Sequence, residues 1–212
     1  MVGDEAMTQD GNIPPVWFRL PPGFHDIGPG DASSLEAFAE ALGSTAAQRD
    51  LSQLMDGLED LKGHDVVHTA LGFHPEEPVG VSTSLFSLTI RRVEQPNPRL
   101  AVARTALAIA RSSLWTSAVR RFIDLPSTLP CCLVAGTISV PEIEHHLFQA
   151  RITTVHPDAL HLLVLDLTSA SSQHAGAYTD ILEAVAHTLQ FTDPDPSVPT
   201  AAGTSRILEV LR

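Results

Sequence analysis

ARITTVHPDALHLLVLDLTSASSQHAGAYTDILEAVAHTLQF, running from Ala150 to Phe191, decides the fold. It contains two β-branched and leucine-rich runs separated by the turn residues His-Pro-Asp-Ala, so it predicts two strands joined by a tight loop. A small polar loop follows. From about Ala175 to Gln190 the spacing then changes. Tyr178, Leu182, Val185 and Leu189 recur at three and four residues, with Ile181 and Ala186 beside them, which predicts an amphipathic helix. A sheet face covered by a helix follows from that order, and no position in the stretch looks built for chemistry.

Upstream, the pattern repeats. Strands are predicted over about Val119 to Asp124, Cys131 to Val140, His146 to Val155 and His161 to Leu167, with PSTLP, PEIE and HPDA as the turns between them. Short connections between successive strands favour antiparallel pairing. Val66 to His74 and Val81 to Val93 form another pair, linked by PEEPVG. QPNP then breaks the chain and launches a helix from about Arg99 to Ser112. Leu100, Ala103, Leu107, Ala110 and Leu114 make one stripe of that helix, and Val102, Ala106 and Ile109 make a second. A surface this broadly apolar implies burial on two sides or contact with a partner.

Towards the N-terminus, Val16 to Ile27 reads as a short strand, a Pro-Pro-Gly turn and an extended segment. Two helices are predicted next. One starts in a capping box at Ser33 to Glu36 and ends at Gly43; the other runs from about Thr45 to Leu61. The expected order is β, αα, ββ, α, ββββ, α. That is an α+β protein: a twisted antiparallel sheet of about six strands flanked by helices. Residues 1–15 read as a leader, 16–192 as one domain, and 193–212 as a Pro-rich linker and tail whose RILEVLR ending forms a short helix or an added strand.

The chain has 212 residues, 43% of them hydrophobic and 18% charged, enough to bury a core. Its longest apolar runs are too short to span a bilayer, and its first residues lack the basic and apolar regions of a secretory signal, so a cytoplasmic location is expected. A net charge of −12 argues against nucleic acid as a partner. The charge is unevenly placed. Residues 1–62 carry 11 acids and 3 bases, whereas residues 91–121 carry 7 arginines and only Glu94. Such a basic segment is either a solvated face or a surface that steers an acidic partner.

Catalytic and metal motifs are weak. His64 and His68 lie four apart in HDVVH, but Val66 and Val67 imply a strand, where that spacing separates the rings by about 13 Å. His145 and His146 follow Glu142 and Glu144 in what reads as a solvated loop. The other histidines, at 25, 74, 156, 161, 174 and 187, fall at turns or strand ends. Cys131 and Cys132 are adjacent, so their side chains point to opposite faces of a strand, with one thiol buried and the other less so. There is no G-x-S-x-G, no C-x-x-C and no G-x-G-x-x-G. Asp166 falls in mid-strand and reads as a hydrogen-bonding residue. Trp17, Phe18 and Trp115 read first as core or rim packing, with partner anchors as the alternative.

Three pieces carry a resemblance: the WFRLPPGF start (Trp17 to Phe24), the VVHTALGFHP middle (Val66 to Pro75), and the closing strand–strand–helix with LLVLDLTS and AHTLQF. Together they resemble the PsbP-like α/β fold of PsbP, the lipoprotein LpqN, the Ran-binding Mog protein and the Eag-type secretion chaperones. They are nearest to uncharacterised actinobacterial proteins, some encoded near secretion or toxin genes. The resemblance spans roughly residues 17–194 and implies a fold that mostly binds other proteins. Its motifs are structural, so no functional residue is transferred.

The expected function is therefore a non-catalytic, cytoplasmic protein-binding adaptor, a chaperone or immunity-type partner of a secreted protein. No cofactor, metal or catalytic set is expected. The partner-binding residues are predicted to be Arg99, Arg104, Arg111, Trp115, Arg120 and Arg121. Two alternatives stand beside this: a small-molecule binder or enzyme with a cleft between sheet and helices, and a self-assembling structural protein seamed by the Arg99 to Leu114 helix.

Overall fold

A computed structural model describes residues 13–27, 65–76, 80–94, 97–140, 146–193 and 204–206. Nine strands and two α-helices lie within them. They are β1 (Trp17–Arg19), β2 (Phe24–Asp26), β3 (Val66–Glu76), β4 (Gly80–Arg92), α1 (Pro98–Ala110), β5 (Trp115–Phe122), β6 (Cys131–Ile138), β7 (Leu147–Val155), β8 (His161–Ser169), α2 (Ala175–His187) and β9 (Thr204–Arg206). The two helices predicted between Ser33 and Leu61 lie outside the described residues.

Seven strands form one antiparallel sheet in the order β2-β3-β4-β8-β7-β6-β5. The chain is α+β as expected, with one strand more than the expected six. β5 to β8 form the predicted meander. It runs inward from the edge and closes against β4, so the leucine-rich β8 lies in mid-sheet. The chain reaches the far edge from β4 through α1, which crosses over β8, β7 and β6 on the way.

This crossing explains the continuous apolar run of β8. Leu163, Leu165 and Leu167 face α2 and join Phe86, Leu88, Ala150, Ile152 and Leu133. Leu162 and Val164 face the other way and pack with Ala101, Val102 and Ala106 of α1. A strand covered on both sides gains nothing from alternation. Each such side chain contributes about 1.5–3 kcal/mol on burial. On α2 the predicted stripe is the buried one: Tyr178, Leu182, Val185 and Ala186, with Leu189 just beyond the helix. Tyr178 keeps its hydroxyl satisfied by donating to Ser82 Oγ at 3.0 Å.

The ends of two elements differ from the sequence reading. β5 begins at Trp115 rather than near Val119, because a bulge between Trp115 and Ser117 lets the strand start early. Thr204 and Ser205, read as linker, belong to β9 and pair with Phe18 and Arg19 of β1. A partner so distant in sequence leaves no local pattern. The Pro-Pro-Gly turn appears as expected, with Gly23 at φ 95°, a conformation that favours glycine. However, β1 and β2 on either side of it do not pair with each other; β2 joins β3 and β1 joins β9.

Candidate protein-binding face

α1 and β5 lie side by side at one end of the sheet. The helix starts there because Asn97 accepts a hydrogen bond from Leu100 N–H at 3.2 Å and Pro98 fills the first turn. Its stripe of Val102, Ala106 and Ile109 packs on the sheet. The second stripe is covered only in part: Ala110 joins that packing, but Leu100 is 40% exposed and Leu114, just past the helix, 42%. Residues 100, 104, 107 and 111 recur at helical spacing, so Arg104 and Arg111 share this outward side with Leu100 and Leu107.

β5 is the last strand of the sheet. Every residue from Thr116 to Phe122 is exposed, and Val119 and Phe122 reach 70%. The described residues have six exposed large apolar side chains, and Leu100, Leu114, Val119 and Phe122 are four of them. Leu100, Leu114 and Phe122 lie on the α1 side, whereas Val119, two residues from Arg121, points to the α2 side. β5 stays on the sheet through a close approach: a Cβ added at Gly136 would lie 2.0 Å from Ser117 O.

Between α1 and the β5–β6 loop runs an open groove of about 630 Å³. Asn97, Arg99, Leu100 and Ala103 line one wall, and Phe122 and Thr128 are on the other. Thr128 sits in the left-handed region at φ 57° in the PSTLP turn, an uncommon place for a β-branched residue.

The six predicted partner-binding residues separate into two groups. Arg99, Arg104, Arg111 and Arg120 are exposed and have no carboxylate partner among the described residues. Arg121 instead points to the α2 side of the sheet and pairs with Glu183. Trp115 is half-buried against the α1 cluster, a packing role. Trp17 and Phe18 are core, as read from the sequence. Phe122 and Val119 are exposed apolar residues that the sequence reading did not single out. Their signal was weak, because an apolar residue in a strand reads as buried until its strand is known to be at an edge.

Elsewhere a few titratable groups are buried or paired. Burial lowers the His68 pKa, while Asp26 at 3.3 Å opposes the shift. His68 lies on β3, as its valine neighbours implied, and edges onto Phe18; its neighbour His64 lies outside the described residues. His74 Nε2 is 2.8 Å from Ser84 Oγ, and burial together with His174 lowers the His74 pKa. Ser84 is fully buried, and a nucleophile has to meet its substrate. In the HPDALH turn, burial pushes Asp158 up, but the Leu160 N–H, His161 and His156 outweigh it and hold the carboxyl below its usual range. Among the described residues no three His, Cys, Asp or Glu side chains gather as a metal site.

The cysteines point to opposite faces, as predicted. Cys131 joins the α2 core and Cys132 the α1 core. Both are buried, Cys131 at 1% exposure and Cys132 slightly less so at 4%, because the sheet is covered on both sides at this point. Burial pushes the Cys131 thiol up to about 12. No helix among the described residues is long and apolar enough to cross a membrane. No protein-family model matches the chain, and no curated protein does.

Proposed function

We infer that this chain is a non-catalytic adaptor that binds another protein through the α1–β5 face. The observation that carries this reading is the coincidence of two features on one surface. Three of the six exposed large apolar side chains, Leu100, Leu114 and Phe122, lie there, beside four arginines that have no carboxylate partner among the described residues. Apolar anchors ringed by arginine are the composition of protein contact surfaces. The resemblance to the PsbP-like fold points the same way. A chaperone or immunity-type partner of a secreted protein, acting in the cytoplasm, is the form of adaptor that fits.

Co-expression with the products of its neighbouring genes tests the reading. A stable complex is expected with one of them, weakened at least about tenfold by Arg99→Glu together with Arg104→Glu. A chain that stays monomeric beside every neighbour overturns it.

A further inference from the structure

The outer edge of β5 is a row of backbone groups without a strand. Ile123 N–H donates to Cys131 O at 3.1 Å. Counting back along an antiparallel strand, the N–H and C=O of Phe122, Arg120 and Ala118 then turn away from β6. Among the described residues no strand pairs with that side, and residues 116–122 are all exposed. Edges of this kind are usually guarded by proline, by short length, by bulges, by charged side chains or by being covered; β5 carries a bulge only at its start and two arginines, which repel a basic strand but attract an acidic one. β5 has eight residues, no proline and two largely exposed apolar side chains.

We propose that an acidic, extended segment of the partner protein adds to β5 as an eighth strand of the sheet. The proposal rests on the adaptor reading and names how that partner is held. The pattern of the incoming segment follows from the face. Phe122 and Arg120 are two residues apart, so both point to the α1 side. Phe122 opens onto the groove with Leu100, while Arg120 carries a charge with no carboxylate partner among the described residues. A strand beside them therefore places an apolar side chain at the groove and a carboxylate two positions away. Arg99 lines the same groove and attracts a further acid. A second copy of this chain fits poorly, because pairing β5 with itself brings Arg120 and Arg121 of one copy against those of the other. Nucleic acid lacks the backbone donors and acceptors of a strand, and the whole chain carries −12.

The probe is a fluorescein-labelled peptide of repeated Ile-Thr-Glu-Thr units, titrated by fluorescence anisotropy. Saturable binding is expected, weakening with salt and falling at least about tenfold for Arg120→Glu. Ala118→Pro removes one outward N–H without touching the β6 side, and should weaken binding as much. A peptide N-methylated on the residues facing β5 removes the same hydrogen bonds and leaves the protein intact, so the test survives a variant that folds badly. Equal binding of a peptide with Lys for Glu overturns the proposal, as does indifference to both Ala118→Pro and N-methylation. Equal competition by single-stranded DNA overturns it in favour of a polyanion surface. A native partner released by Arg99→Glu and Arg104→Glu but held normally by Ala118→Pro would sink strand addition and leave the adaptor reading standing.

Discussion

Arg151 and Asp166 stand directly opposite one another on β7 and β8, with Nε and Oδ1 2.5 Å apart. They lie on the α1 side of the sheet, next to the buried Thr153 and Val164. Burial raises the Asp166 pKa, and Arg151 opposes the rise. Removing the cation leaves a buried carboxylate alone. Arg151→Met should therefore cost about 3 kcal/mol. The cost should grow with pH: a group whose folded pKa is raised is best tolerated below its unfolded value, and its stability is lost as pH rises through the folded one. Urea midpoints at about pH 5 and about pH 8 check this. Arg151→Met with Asp166→Leu should recover much of the loss. A deficit equal at both pH values would show that the pair is not ionised as described.

At Gly136 the backbone of β5 closes directly over β6. The added Cβ of Gly136→Ala meets backbone, Ser117 O at 2.0 Å and Ser117 C at 2.8 Å, which has no soft side chain to move. Destabilisation of at least about 1–3 kcal/mol is expected. Hydrogen exchange should localise it, speeding β5 amides while those of β4 and β8 stay protected.

His68 makes stability depend on mildly acidic pH. Its folded pKa lies below 6.5 because of burial, so its contribution is whole above 6.5 and lost as pH falls through the folded value. The thermal midpoint should drop over that window. His68→Phe should flatten part of the slope. His74 is lowered in the same direction and supplies the rest. Asp26→Asn should steepen the slope, because Asp26 supports the charged form.

Neither thiol should react in the folded protein. Burial pushes Cys131 up to about 12 and also raises Cys132, where Arg120 opposes the shift. A thiol reagent should label neither cysteine natively and both after unfolding in guanidinium. Because they point into cores on opposite faces, oxidation of the native chain should not join them. Rapid labelling of Cys132 alone would mean that α1 opens readily.

Much of the fold was legible because it depends on local periodicity. The α2 stripe of Tyr178, Leu182 and Val185, the turn at His156 to Ala159, and the alternate facing of Cys131 and Cys132 are short-range patterns. Their positions in sequence already carry the needed geometry. The arginine-rich stretch was equally visible, since charge is counted along the chain. What the sequence alone determined is therefore an antiparallel α+β core, its helical lid, and a basic segment in an acidic protein.

Tertiary structure decided where those pieces sit. Only strand order puts β8 in the middle, where a run of leucines is buried on both faces, and β5 at the edge, where Val119 and Phe122 are exposed. It separates Arg121, tied to Glu183, from Arg120, which has no carboxylate partner among the described residues. It also brings Arg151 to Asp166 and β9 to β1. Apart from the Arg151–Asp166 pair, which the β7–β8 hairpin joins, these contacts close long loops, and their energy comes from pairing and burial between elements rather than from propensity within them. A composition or a period cannot carry such information, because the same apolar side chain is core in a central strand and contact surface at an edge.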